Sequence, residues 1–320
     1  MIPAGGADLD AGSAPSAFDT PQQRATTGLA SILIRTKPGS RIPNIGTLRQ
    51  ELGVGAGTVQ KALQELQATS AVKLDSRQRQ GTYLLTRQLG QLWQLARMPG
   101  LRAVLPLPNS WEFQGLAAGL RAELDQIRVP ATFLYAHGSA ERVQALVNGV
   151  AQIAVMSVYA AAKALAMGAD ISIEHQLPDG TYYAENSVLV LAKAERAALP
   201  DAFRVGIDRL SADHTALTSA IFPHRDYVDV SYAQIPSALA AGVIDAAVWH
   251  RTALGLSLND RGLKTWTDAH IPEPPLSIGA AAIVTSNDDP TTRAVIQSID
   301  IPRLLGHQRS VVDGDVLPLY

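Results

Sequence analysis

At 320 residues, 47% of them hydrophobic and 18% charged, the chain is long enough for two domains or more and has an ordinary globular composition. The lack of any cysteine excludes disulfides, zinc knuckles and a thiol nucleophile, and leaves metal binding to His, Asp and Glu alone. The net charge of -2 hides an asymmetry: residues 21–87 hold ten Lys/Arg against three acids, a balance of +7, whereas residues 88–320 hold seventeen against twenty-three, a balance of -6. A small basic block of this kind is the footprint of phosphate neutralisation, although a solvated face has the same composition.

The first residues, MIPAGGADLDAGSAPSAFD, have no hydrophobic period and carry aspartates where a secretory signal has basic residues. Residues 1–19 therefore read as a disordered tail. With no apolar run of membrane-spanning length, a cytoplasmic protein without a membrane partner is expected.

A head domain is expected over residues 20–87. Thr20 and Pro21 open a first helix carrying Leu29, Ile32 and Leu33, and Lys37-Pro38-Gly39 closes it. Thr47 is expected to cap a short second helix burying Leu48 and Leu52. Gly53-Val54-Gly55 then turns the chain into a third helix with Val59, Leu63 and Leu66 on one face. Strands at 71–74 and 82–85 follow, joined by a polar arch at 75–81. Three helices and a basic hairpin in this order are the layout of a winged helix-turn-helix.

Residues 88–100 predict a linker helix whose stripe of Leu89, Leu92 and Trp93 serves either packing or a dimer seam. Residues 101–320 then alternate short strands and helices. Strands are expected at 101–107, 131–136, 152–156, 171–176 and 183–191, with helices at 110–124, 139–148 and 158–167. A second set follows, with strands at 204–207, 228–231, 246–249 and 278–284, helices at 212–221 and 236–241, and a last helix from near Pro290 to before Pro302. The fold class expected is an α/β two-lobed, periplasmic-binding-protein-like (type 2) domain preceded by the small winged helix-turn-helix.

The segment GLASILIRTKPGSRIPNIGTLRQELGVGAGTVQKALQELQATSAVKL with RQRQGTYLL resembles the GntR-type winged helix-turn-helix. The blocks LPLPNSWEFQGLAAGL, LVNGVAQIAVMS, VGIDRLSADH, VDVSY, GVIDAAVWH and HQRSVVDG are similar to those of the YhfZ family, regulators that join such a head to a periplasmic-binding-like sensor. The resemblance implies duplex DNA and a small-molecule effector as partners. DNA contacts are expected from Arg49, Gly57, Thr58, Gln60 and Lys61, and from Arg77, Arg79, Gln80, Gly81 and Thr82 in the wing. Many GntR-type heads carry a basic residue where this chain has Gly55, Ala56 and Gly57, so arginine reading of guanine from that spot is not expected. The wing arginines position the head more than they specify sequence.

In two-lobed sensors a ligand sits where strand ends and helix N-termini converge. Pro108-Asn109-Ser110, Ser157 and Ser211 lie at such junctions on both expected lobes, though a serine there is first of all an N-cap. Glu185, Asn186, Trp249 and His250 are further candidate cleft walls, with ordinary packing as the alternative for the last two. No cofactor, metal or catalytic residue is expected: the seven histidines are scattered and Gly-x-Ser-x-Gly is absent. A regulator that dimerises on DNA is the leading reading. An enzyme on the same fold, a sensor domain used only for dimerisation and a transport receptor are the competitors.

Overall fold

A computed structural model of the chain describes residues 19–184, 187–251, 262–266 and 278–320. Two compact units emerge. One holds the described residues up to Leu101 together with 123–132 and 287–300, and the other holds 102–122, 133–286 and 301–320.

In the first unit, α1 (Pro21–Arg35) starts at Thr20, whose side chain and that of Gln23 cap each other's backbone N–H groups. Asn44 rather than Thr47 caps α2 (Ile45–Leu52): its side-chain oxygen accepts the Thr47 N–H at 3.0 Å. An amide side chain one turn earlier thus satisfies a free donor that Thr47, already helical, cannot reach. Gly53 ends α2 in the left-handed conformation, φ 62°, and α3 (Ala56–Ala68) buries Val59, Leu63 and Leu66 as their spacing requires. The hairpin is longer than its apolar residues show. β1 (Val72–Arg77) and β2 (Gly81–Arg87) pair antiparallel into the expected arch, so only residues 78–80 turn.

Helix α4 (Leu89–Leu95) buries Leu89, Leu92 and Trp93 inside this unit, and the Trp93 indole donates to the Pro99 carbonyl at 3.0 Å. That stripe is consumed by packing within the chain and is not an exposed seam.

The second unit carries two five-stranded sheets. Lobe one contains β3 (Leu101–Leu105), β4 (Ala131–Tyr135), β5 (Ile153–Ser157), β6 (Ile171–Gln176) and the late strand β12 (Ala281–Ser286), in the order β4-β3-β5-β12-β6. Helices α5 (Trp111–Gln126), α6 (Gly138–Val147) and α7 (Val158–Ala166) alternate with them. Lobe two contains β7 (Val188–Ala192), β8 (Arg204–Ile207), β9 (Asp226–Asp229), β10 (Ala246–His250) and β11 (Lys264–Trp266), in the order β11-β7-β10-β8-β9, with helices α8 (Ala212–Ile221) and α9 (Ile235–Ala240).

The chain crosses from β6 to β7 and returns to lobe one through β12, which runs antiparallel to both neighbours. Each lobe has its own apolar core, around Ala154, Met156 and Val284 in one and Val190, Val205 and Val248 in the other. The expected strand at 183–191 starts at Val188, because Tyr182 and Tyr183 turn their rings onto Phe113 instead. The chain ends in two helices, α10 (Pro290–Ile296) and α11 (Ile301–Val312), not one: Pro302 is the second residue of α11, where its missing N–H costs nothing, and so opens a further helix instead of closing the last.

Candidate functional site

The face of the head expected to meet DNA is open. Arg49, Gly57, Gln60 and Lys61 are exposed and Thr58 is half-buried. In the wing Arg79 and Gln80 stand at the exposed tip, with Arg79 at φ 60°, whereas Arg77 donates to the Asp75 carboxylate at 2.8 Å and lies over the Tyr83 ring. Thr82 is within 3.3 Å of the Ser76 hydroxyl. Gly81, at φ 93°, leaves room for the Arg41 guanidinium: a Cβ there would stand 2.2 Å from Arg41 Nε. Arg41, bridged to Tyr83 with its guanidinium beside Gly81 next to the wing's turn, is an exposed cation that no local sequence pattern marks.

Between the lobes lies a cavity of about 50 Å³. Lobe one contributes Leu107, Asn109 and Phe113 from the β3–α5 junction and His137 and Arg142 from the start of α6. Tyr182 and Tyr183 come from the crossing, and Asp208, Ser211, Tyr232 and His250 from lobe two. Of the residues anticipated from sequence, Asn109, Ser211 and His250 are therefore brought together here.

Capping and packing occupy the remaining anticipated residues that are described, and Ser211 caps a helix as well as facing the cavity. All three junction serines cap their helices: Ser110 accepts from Phe113 N–H, Ser157 from Ala160 N–H and Ser211 from His214 N–H. Ser110 and Ser157 are fully buried and are not part of the cavity wall, and the Pro108 carbonyl accepts from the Gln114 side chain. Trp249 stacks on Tyr232 at 4.4 Å between ring centres, inside the lobe-two core. Glu185 and Asn186 lie outside the described residues.

The lobes meet around the cavity. Ala140 N–H donates to the Leu210 carbonyl at 3.2 Å, Ala212 N–H to the Ser139 hydroxyl at 3.2 Å, and the Ser157 hydroxyl to the Asp213 carboxylate at 2.6 Å. Gly138, at φ 71°, has no alternative here, because a Cβ would stand 2.4 Å from the Leu210 carbonyl oxygen.

His137 Nε2 pairs with Asp208 across the cleft. That hydrogen bond raises the His137 pKa above 6.5 against the effect of burial. Burial pushes the Asp208 carboxyl up, but His137 and the N–H groups of Tyr232 and Leu210 outweigh it and hold the pKa below 3.8. Behind the wall, burial lifts the Asp213 carboxyl to about 6 and holds the His214 imidazole down at about 4. Burial also lowers His250, whose ring lies 3.9 Å from the Glu112 carboxylate.

Arg142 was not anticipated. The residue is 3% exposed, and its guanidinium donates to the Ala136 carbonyl and to the Tyr182 hydroxyl, each at 3.0 Å, while Nε has no partner among the described residues. In the sequence it looks like any helical surface arginine, and only the fold turns it inward. Among the described residues no group of His, Asp and Glu has the arrangement of a metal site.

A helix-turn-helix head followed by a two-lobed domain of the periplasmic-binding-protein type 2 fold defines the class of protein. Residues 37–84 match the family described as "Helix-turn-helix domain", and residues 89–320 match "YhfZ C-terminal domain". The chain is 32% identical over 299 residues to the "Uncharacterized protein YhfZ" of Escherichia coli (strain K12), covering 92% of this chain and 96% of that one. It belongs to the YhfZ family. Among solved structures it is similar to YhfZ from Shigella flexneri, with 28% identity and a TM-score of 0.57 over 72% of this chain and 97% of that one. The alkanesulfonate-binding protein SsuA from Xanthomonas axonopodis pv. citri shares the fold at 18% identity, with a TM-score of 0.50 over 68% of this chain and 75% of that one.

Proposed function

We propose that this protein is a transcription regulator of the cytoplasm, a homodimer whose GntR-like heads grip duplex DNA and whose DNA affinity is set by a small polar or anionic metabolite held between the lobes. The observation that carries the reading is one chain with both parts: a helix-turn-helix whose third helix leaves Gly57, Gln60 and Lys61 exposed, and a cavity shared by two lobes and walled by hydrogen-bonding groups. Dimerisation follows from the small surface of a single head, which reads DNA in paired half-sites. With the α4 stripe internal, the seam falls to the sensor's surface. Asn109, Ser211 and His250 are the effector contacts, joined by Arg142.

An enzyme reading would start from Ser231, His137 and Asp208, which are in contact. Both partners, however, meet the same ring nitrogen, Nε2, at 3.4 Å for Ser231. A nucleophile relay needs serine and carboxylate on opposite nitrogens, so this cluster acts as a clamp.

The test is selection of genomic fragments by the purified full chain, followed by affinity measurements on the selected site. The double substitution Lys61→Glu with Arg79→Glu should weaken binding by about tenfold or more, through lost phosphate contacts. Unchanged affinity would remove the head as the DNA-binding element.

A further inference from the structure

A buried guanidinium that hydrogen-bonds only neutral oxygens and keeps one N–H unmatched is costly, because both the charge and the donor have been taken out of water. Arg142 is in that position beside the cavity, at 3% exposure, with Nε unpartnered among the described residues. The missing group is an acceptor, and the cheapest acceptor for a guanidinium edge is an oxyanion, which supplies charge and geometry together.

The size of the space narrows the choice. One water needs about 10–15 Å³ of such volume, so the cavity of about 50 Å³ offers roughly three to five water-sized positions. Charge narrows it further. Arg142 is the cation with an open edge on this wall, whereas His137 is engaged by Asp208, and the Asp208 carboxyl on the wall, with Asp213 buried behind it and already drawn to Arg142, opposes a second negative charge. A monoanion fits, and the rings of Phe113, Tyr182 and Tyr183 make walls for a flat one. At the other end Asn109 and Ser211 present an amide and a hydroxyl whose proton is free to donate, because the oxygen already accepts from His214 N–H.

We propose that Arg142 is the anchor of the effector site and takes the carboxylate of a compact hydroxy- or oxo-carboxylic acid, whose polar substituent meets Asn109 and Ser211. This deepens the effector reading above and rests on it.

The test uses glycolate as probe, its uncharged counterpart glycolamide, and inorganic phosphate as a tetrahedral anion. Each is titrated into the full chain while the arginine Nε–H resonances are followed by NMR. Glycolate should shift one such resonance saturably, and that resonance should be missing from the spectrum of Arg142→Lys. Glycolate should also bind about tenfold or more tightly than glycolamide, and lose about tenfold or more in Arg142→Lys, as removal of a charge-assisted hydrogen bond requires. If the variant does not fold, the Arg142 Nε–H resonance is assigned through its own bonded spin system in the unsubstituted chain, and its response still decides. Equal binding of glycolate and glycolamide would overturn the oxyanion anchor while leaving a polar effector site intact, and preference for phosphate would overturn the carboxylate assignment. If the Arg142 resonance stays unmoved and exchanges rapidly with water, water satisfies Nε and the inference fails. Should none of the probes perturb any cleft resonance, the carboxylate anchor is overturned, while the effector reading is decided separately by whether DNA affinity responds to any bound metabolite.

Discussion

His137 and Asp208 hold each other from opposite lobes, so their protonation belongs to the state of the cleft as much as to the residues. His137 has its pKa raised above 6.5, so its contribution is complete below 6.5 and is lost as the pH rises through the shifted value. Asp208 is lowered from 3.8, so its contribution is present above 3.8 and is lost as the pH falls through the shifted value. The clamp is therefore at full strength between pH 3.8 and 6.5, and loosens as the pH rises through the raised His137 value or falls through the lowered Asp208 value. Histidine NMR titration should place the His137 pKa above 6.5 and return it to 6.5 or below in Asp208→Asn. An unshifted His137 in the unsubstituted chain would mean that the pair does not form in solution.

Single residues also show what the sequence could reveal. A serine between strand and helix announces a cap, and Ser110, Ser157 and Ser211 are all caps. Whether such a serine also faces a cavity depends on which way the neighbouring lobe closes, and no local pattern encodes that. Ser157 meets the buried carboxyl of Asp213, 56 positions along the chain, and Arg142 meets Tyr182, 40 positions along. Pairings of that range come from topology, so Arg142 was invisible where Asn109 was not.

Among the elements, those set by local periodicity and turn residues were legible: β6, β8 and α8 fall at the boundaries that their apolar spacing and punctuation imply. α11 was not, because a proline stops one helix and starts another equally well. Its place is fixed by close approach to α5, where a Cβ on Gly115 would lie 2.8 Å from the Gln308 carbonyl oxygen and one on Gly119 2.6 Å from that of Leu304. Both obstacles are backbone atoms, which cannot swing aside. Alanine's better helix propensity is worth about 1 kcal/mol, against an overpacking cost of roughly 1–3 kcal/mol for a forced backbone shift. Gly119→Ala should accordingly destabilise the chain in urea unfolding, and a gain in stability would show that α5 and α11 are not in contact.

α10 has a second role at this scale. Although it continues β12 of lobe one, it packs within the unit that contains the head. There Arg87, whose pKa burial lowers, donates to the carbonyls of Leu33, Ile34 and Thr36 at the end of α1 and to the Ser298 hydroxyl. The chain thus runs directly from a strand of lobe one into a helix packed on α1.

For the whole molecule, the separation of charge is the property read most directly from sequence: +7 over residues 21–87 and -6 over the remainder from residue 88. The structure refines it by removing cations from the count. Arg77 is paired with Asp75 and Arg87 is spent on α1, while Arg41, Arg49, Lys61, Lys73 and Arg79 remain exposed on the helix-turn-helix and wing. An effector can change DNA affinity only as far as it prefers one lobe arrangement, and DNA must then change effector affinity by the same factor. All of this presupposes that the head binds DNA through phosphates. The direct measurement is the affinity of the full chain for duplex DNA between 50 and 200 mM salt. Five phosphate contacts per head predict a loss of about 10²–10³-fold across that range, and an affinity that stays flat would contradict the account.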